Sequence, residues 1–296
     1  RRNCRTFAVI GRRPISSKNA TCDEPGGYLA GGSCNNPASN LSDEKPGVLA
    51  VDLSLPPSRY STPASIAESY DVLRARLAAI PGVRSVAAAS TVPLSGCCNN
   101  MPIGVEGRPP VARGQSETAV LNVVTPGYFS TMGIRLKSGR DFSNADARFA
   151  LPLIRYWDQQ PYPARFDEPQ PAPVAVISET MARQYWPDVD PIGKRFRVLF
   201  SPWLTVVGVV ADVKHLTLGG PAPADLYLVN AQEPYAALLV VMKTDGDPMA
   251  LAPLARAQVR AFDKDLPVNA IASMMQVVHR SLGRTRFYAL LIGAFG

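Results

Sequence analysis

Two histidines in 296 residues leave little from which to build a metal site or an acid–base relay. Neither His215 nor His279 has a His or Cys neighbour at ligand spacing, so each reads as an ordinary polar residue. The five cysteines, Cys4, Cys22, Cys34, Cys97 and Cys98, are odd in number and lack the paired C-x-x-C spacing of a zinc site. Cys22 and Cys34 could bridge a surface loop in an oxidising compartment, whereas adjacent Cys97 and Cys98 could join only with strain and read as free thiols. Nucleotide and ester chemistry are equally unprovided for. There is no G-x-x-x-x-G-K-[ST] phosphate loop, no G-x-G-x-x-G after a strand and no G-x-S-x-G elbow. A run of about 18 apolar residues, the minimum to cross a bilayer, is also missing.

The acidic residues do not fill the gap. Asp188 with Asp190, and Asp263 with Asp265, stand beside prolines in turn-like sequence, where Asp is favoured because it caps its own backbone. Asp141, in Gly139-Arg140-Asp141-Phe142, is the more interesting polar residue, yet a structural turn is the better reading. No catalytic, cofactor-binding or metal-binding residue is therefore assigned, no cofactor is expected, and the chain does not read as an enzyme.

The net charge is +7, but it is dispersed: residues 1–45 carry +3 of it, through Arg1, Arg2, Arg5, Arg12, Arg13, Lys18 and Lys45 against Asp23, Glu24, Asp43 and Glu44. With no aromatic–basic platform beside it, this charge does not argue for nucleic-acid binding. Proline, by contrast, is abundant, at 28 residues. It falls between periodic segments more than inside them, which predicts many bounded elements.

Residues 1–45, with paired glycines and asparagines and no sustained apolar period, read as an unstructured or divergent segment. From Val48 the texture changes. Val48, Leu49, Val51, Leu53 and Leu55 predict a strand ending at Pro56-Pro57. Thr62 then caps a helix with Pro63 at its first position, and Ile66, Tyr70, Leu73, Leu77 and Ile80 recur at helical spacing before Pro81-Gly82. Val83–Ser90 predicts a second strand. The phrase recurs near the other end: a strand at Leu238–Met242, Asp247-Pro248 as cap and proline, a helix with Leu251, Leu254, Ala255, Val259 and Phe262 on one face, and a strand at Val268–Ala272. Two strand-helix-strand units can share one sheet with both helices on one face, an α+β class of fold.

Between them, residues 101–236 are mostly short strands, interrupted by brief helices at Tyr128–Met132 and Glu179–Tyr185. They read as an inserted β-rich subdomain. The division is thus 46–100 and 237–275 for a discontinuous α+β subdomain and 101–236 for the insertion. The stretch Ala147–Pro173 is proline-rich and carries Phe149, Tyr156, Trp157, Tyr162 and Phe166, a long loop for a compact domain. At the other end Met275, Val278 and Leu282 continue a helical period, and Phe287–Gly296 is an uncharged apolar run about half a span long. Residues 276–296 therefore read as a stalk helix and the start of a truncated transmembrane helix.

A series of short phrases carries a resemblance. Leu55-Pro56-Pro57-Ser58-Arg59-Tyr60, Ile80-Pro81-Gly82-Val83, Pro93-Leu94-Ser95-Gly96, Val105-Glu106-Gly107-Arg108-Pro109, Val124-Thr125-Pro126-Gly127-Tyr128-Phe129 and Gly133-Ile134 come first. Gly139-Arg140-Asp141-Phe142, Asp190-Pro191-Ile192-Gly193-Lys194-Arg195, Val206-Val207-Gly208-Val209-Val210 and Ala231-Gln232 follow, in an order that resembles the MacB-like periplasmic core domains of ABC-transporter-type, FtsX-like permeases. Among these the chain is most similar to the duplicated orphan permeases of acidobacteria. Cys97-Cys98 stands where such relatives often have glycines.

The resemblance implies a non-catalytic extracytoplasmic domain between the first two spans of a permease in the bacterial inner membrane, on the periplasmic side. It further implies that the two strand-helix-strand units lie next to the membrane and that the β-rich insertion projects away. The implied partners are a cytoplasmic ABC ATPase acting through the membrane helices, a second copy of the chain, and a periplasmic adaptor. Transport or efflux would then proceed by mechanical coupling. The alternative expectation is a soluble ligand-binding module or an unrecognised hydrolase, with the Phe149–Phe166 loop as its surface and Asp141 as its polar site.

Overall fold

A computed structural model describes residues 3–10, 13–21, 47–95, 99–108, 117–148, 173–198, 201–215 and 220–280. Cys22, Cys34, Cys97, Cys98, the aromatic loop from Phe149 to Phe166 and the apolar run from Phe287 lie outside these residues. The chain forms two compact units, residues 1–43 and 44–296.

The first unit corrects the reading of residues 1–45 as unstructured. Strand β1 (Asn3–Ile10) pairs antiparallel with β2 (Arg13–Thr21), Phe7 opposite Ser16 and Ile10 opposite Arg13, with a bulge between Cys4 and Thr6. The local signal is Phe7-Ala8-Val9-Ile10, a β-prone run stopped by Gly11 and answered by Ile15 across the turn. It is short enough to be hidden by the Gly- and Asn-rich sequence that follows.

The second unit begins with β3 (Val48–Ser54), α1 (Pro63–Ala78) and β4 (Val83–Ala89). It continues with β5 (Asn100–Val105), β6 (Thr118–Val124), the short α2 (Tyr128–Met132) and β7 (Leu136–Gly139). Next come β8 (Val174–Ser178), α3 (Glu179–Tyr185), β9 (Arg195–Val198), β10 (Leu204–Val210) and β11 (Asp225–Val229). It closes with β12 (Ala237–Thr244), α4 (Ala252–Phe262) and β13 (Val268–Ser273), followed by helical residues 274–280.

Four strands, in the order β4-β12-β3-β13 and antiparallel throughout, make one layer. Each strand-helix-strand unit thus places its two strands parallel with a strand of the other unit between them, the split β-α-β arrangement. Strand periodicity sorts the side chains into two faces. Leu49, Val51, Leu53, Val86, Ala88, Val240 and Met242 meet Tyr70, Leu73 and Leu77 of α1 and Ala255 and Val259 of α4. The capping expected at Thr62 is present as a reciprocal box: the Ser65 amide donates to Thr62 Oγ1 at 3.1 Å and the Thr62 amide to Ser65 Oγ at 3.2 Å. Leu254 departs from the stripe expected of it and is half exposed. Leu251, Ala255, Val259 and Phe262 follow one another at four, four and three residues, and Leu254 lies off that line.

Six further strands close on themselves: β6 pairs with β11, β11 with β8, β8 with β10, β10 with β9, β9 with β5 and β5 with β6. Alternate residues point into this barrel and fill it, among them Ile103, Val105, Leu121, Val123, Ile177, Phe196, Val206, Leu226 and Leu228. Met181 and Tyr185 of α3 join the same core. The interior is therefore packed side chain and not a ligand cavity. The outward residues Val124, Val176, Val210, Tyr227 and Val229 pack with α2 and Phe142 against the second face of the four-stranded layer, through Val48, Ala50, Ala87, Ala89 and Val241.

Candidate functional site

The residues singled out for chemistry are scattered, and most are turn supports. Asp141 is half-buried; burial pushes its carboxyl upward, against amide hydrogen bonds from Phe142, at 2.6 Å, and from Gly127. It ties two turns together. Asp190 accepts the Ile192 amide at 3.0 Å, and Asp188 is exposed. Asp263, expected as a solvated turn residue, is instead buried in a clasp: it accepts from the Asp265 amide at 3.0 Å, from Tyr60 Oη at 2.9 Å and from Arg59. The Asp265 amide and the Arg59 guanidinium hold its carboxyl below the ordinary range. The clasp joins the start of α1 to the end of α4, which explains the Arg59-Tyr60 part of the first phrase. His279 is exposed on the final helix. Among the described residues no three His, Cys, Asp or Glu side chains gather into a metal-binding group.

His215 is different, and sequence reasoning missed it. It sits in the loop after β10, 2% exposed, with Nε2 2.9 Å from Oδ1 of Asp225, which is wholly buried. Asn122 Nδ2 reaches the same carboxylate oxygen at 3.4 Å, and the Thr91 hydroxyl donates to Asn122 Oδ1. The Asp225 amide donates to Ser178 Oγ at 3.0 Å, and that hydroxyl also accepts the Met181 amide at the start of α3. Burial raises the Asp225 carboxyl, while His215 and Asn122 oppose the rise. A lone histidine beside Val210-Ala211-Asp212 gave no hint of this, because its partners lie on β4's trailing loop, β6 and β11.

The cluster lies where the four-stranded layer passes into the barrel. β4 and β6 share one strand pair, Ala89 opposite Val124. Around it the Thr125 amide donates to Ala88 O at 2.9 Å, the Ala88 amide to Thr125 Oγ1 at 2.8 Å and the Ser90 amide to Val123 O at 2.8 Å. Leu94, buried and with φ of 62°, donates its amide to Lys214 O at 3.0 Å and so binds the loop after β4 to the loop carrying His215. A non-glycine residue in the left-handed region needs such enforcement.

The other end of the layer holds a second joint. Helical residues 274–280 follow β13 directly, and Ser273 and Gln276 cap the start reciprocally: the Gln276 amide donates to Ser273 Oγ at 3.2 Å and the Ser273 amide to Gln276 Oε1 at 3.0 Å. Met274 is buried in the core beneath the layer and Val277 packs on it. The helix is thus fixed to the edge strand at its first turn. Among the described residues no helix is long and apolar enough to cross a membrane.

With this geometry in place, the model of the MacB-like periplasmic core domain matches residues 37–262. The chain belongs to the MacB-like periplasmic core domain family. The MacB-like domain is of the kind carried by ABC-type transporter permeases. Among solved structures, the periplasmic region of MacB from Actinobacillus actinomycetemcomitans is similar at 14% identity and a TM-score of 0.48, over 83% of this chain and 96% of that one. The extracellular domain of the noncanonic ABC-type transporter YknZ from Gram-positive bacteria is similar at 14% identity and a TM-score of 0.42, covering 76% of this chain and 98% of the other. A domain of a putative permease protein from Porphyromonas gingivalis gives 17% identity and 0.41, over 75% and 90%. No curated protein sequence matches the chain.

Proposed function

We propose that this MacB-like domain is the extracytoplasmic part of an ABC-type permease, of the duplicated orphan kind found in acidobacteria, and that it transmits movement without catalysing a reaction. In this reading a cytoplasmic ATPase moves the membrane helices, and the domain relays that displacement on the periplasmic side of the inner membrane to a second copy or to an adaptor, driving export. The four-stranded layer with α1 and α4 is the membrane-proximal subdomain, the barrel is the part that projects, and Phe287 onward begins a membrane span.

The observation that carries the reading is the joint at Ser273. A helix capped reciprocally at the end of an edge strand, with Met274 anchored in the core, cannot swivel freely on the sheet. Displacement of that helix is therefore passed to β13 and on to β3, its neighbour in the layer. The test is affinity capture of the full-length protein from detergent-solubilised membranes. Co-purification of an ABC ATPase supports the reading. A full-length protein that stays in the soluble fraction, with polar sequence continuing past Gly296, would overturn it.

A further inference from the structure

Helices α1 and α4 lie on one face of the four-stranded layer, their inner sides packed on the sheet and their outer sides bare. Val72 of α1 and Leu254 of α4, two of the five large apolar side chains exposed among the described residues, stand on that outer surface at 39% and 50% exposure. Ala64, Ala75, Ala257 and Ala261 are exposed on the same helices, so the surface is low and largely apolar. A shallow groove of about 650 Å³ runs along α4, lined by Met249, Ala252, Pro253 and Ala257 with Arg256 and Arg260. Contiguous apolar surface left in the open marks an interaction site.

The charges on this face are sorted by helix. α1 presents Glu68 and Asp71, with Arg76 in its last turn, whereas α4 has no acidic residue and presents Arg256 and Arg260. Among the described residues Glu68, Arg256 and Arg260 are in no ion pair, and Asp71 has only Arg74, at 2.9 Å, and keeps 64% of its side chain exposed. The helices run in opposite directions, because α1 leads from β3 back to the start of β4 and α4 from β12 back to the start of β13. The clasp of Arg59 and Tyr60 on Asp263 sets the start of α1 beside the end of α4. At 1.5 Å per residue from that clasp, Glu68 and Asp71 lie about 8 and 12 Å along α1, and Arg260 and Arg256 about 3 and 9 Å along α4. The acidic and basic groups are therefore nearly level, on neighbouring helices, without meeting.

We propose that this face docks a second copy of the chain, helix pair on helix pair. A twofold axis parallel to the strands lays α1 of each copy on α4 of the other, which brings Glu68 and Asp71 opposite Arg260 and Arg256 twice over and gathers Val72 and Leu254 of both copies near the axis. An axis across the strands would lay α4 on α4, cation on cation. The favoured axis also sends residues 274–280 of both copies out at one end of the layer, the end where Ser273 pairs with Leu49. This gives a surface to the second copy in the permease reading, though the charge match stands without that reading. Two helices about 24 and 16 Å long and about 10 Å apart cover about 400–500 Å² per copy, the size of a weak interface. Pairing of the free chain is thus weak, and confinement of two copies to one membrane strengthens it.

Sedimentation equilibrium of the 296-residue chain in reducing buffer, from micromolar to millimolar concentration, tests this. The wild-type chain is expected to be a reversible monomer–dimer mixture. Glu68→Lys with Asp71→Lys makes both helices cationic, and Arg256→Glu with Arg260→Glu makes both acidic, so each of these variants is expected to lose the dimer. Mixed in equal amounts, the two are expected to form a heterodimer, since each supplies the charge that the other lacks. The chain with all four substitutions is expected to pair with itself again. A wild-type chain that stays monomeric at millimolar concentration, a dimer untouched by either variant, or the absence of a heterodimer on mixing overturns the proposal. Should a variant misfold, amide NMR of the wild-type chain on dilution decides: the signals that move must belong to α1 and α4, and changes confined to the barrel overturn the face. An ATPase captured with a chain that does not pair through this face overturns the face and spares the relay, and pairing through the face supports the proposal whether or not an ATPase is captured.

Discussion

Gly139 ends β7, and its strand partner across the ladder is Gly208 of β10. Its φ is +71°, and a Cβ there would lie 2.2 Å from Val207 O, 2.8 Å from Ile192 Cδ1 and 2.9 Å from Gly208 Cα. Three separate sequence phrases therefore touch at this point. Alanine at 139 meets two costs: the left-handed conformation, about 1–2 kcal/mol for a residue with a Cβ, and overpacking against backbone that cannot rotate away, about 1–3 kcal/mol. Gly193 isolates the first cost, since its φ is +79° and nothing lies within 4 Å of its missing Cβ. Gly193→Ala should thus destabilise by about 1–2 kcal/mol and Gly139→Ala by about 2–5 kcal/mol. Gly208→Ala, at ordinary φ but with Arg140 O only 2.2 Å from the new Cβ, should fall between. Urea unfolding followed by fluorescence measures all three, and equal slopes make the midpoints comparable. If Gly139→Ala and Gly193→Ala prove equally stable, close backbone approach is not the reason for glycine at 139.

Two further outcomes follow from buried polar groups. Tyr70 Oη accepts the Leu238 amide at 3.1 Å and donates to Ala236 O at 2.8 Å, a carbonyl that the Leu55 amide also reaches, so Tyr70→Phe removes two buried hydrogen bonds at the start of β12 and should cost about 1–3 kcal/mol in the same urea assay. Asp263 has the opposite kind of signature, in pH: because its carboxyl sits below the ordinary range, its contribution is complete above the unfolded carboxylate value of about 3.9 and is lost as pH falls through the folded value. The melting-temperature gap between the wild-type protein and Asp263→Asn should therefore close on acidification, and a gap that stays constant down to pH 2 contradicts the clasp.

What was legible in the sequence was whatever is encoded within one element or one turn. The stripe Tyr70, Leu73, Leu77 placed α1 on the layer, and Thr62 before Pro63 marked its start, because cap and periodicity are local. Asp190 beside Pro191 announced a turn, and there its carboxylate accepts the Ile192 amide. What was not legible needs partners distant in sequence. Asp263 looked like a solvated turn residue because Arg59 and Tyr60 lie two hundred positions away, and β7 has no apolar alternation to announce it, since its residues are exposed and it exists by pairing with β10. The hairpin at residues 3–21 failed for the opposite reason: its signal is local but brief, and the Gly- and Asn-rich sequence beyond it dominated the reading.

The same contrast bears on where movement in such a domain is controlled. The recognisable phrases fix turns and the contacts between neighbouring strands, and they brace the layer and the barrel each within itself. The passage between layer and barrel combines one β4–β6 pair, a few amide bonds around Thr125 and a side-chain chain from Thr91 to His215 with the apolar cluster that the two share. A two-body relay must be stiff within each body and adjustable between them, or displacement is absorbed before it arrives. For the relay proposed above, the stiffness within each body would come from the continuous ladder of the layer and the closed ladder of the barrel. His215 and Asp225 stand outside every recognisable phrase, and Asp225→Asn should lower amide-exchange protection at Leu94 before it lowers protection in the ladders of the layer or the barrel.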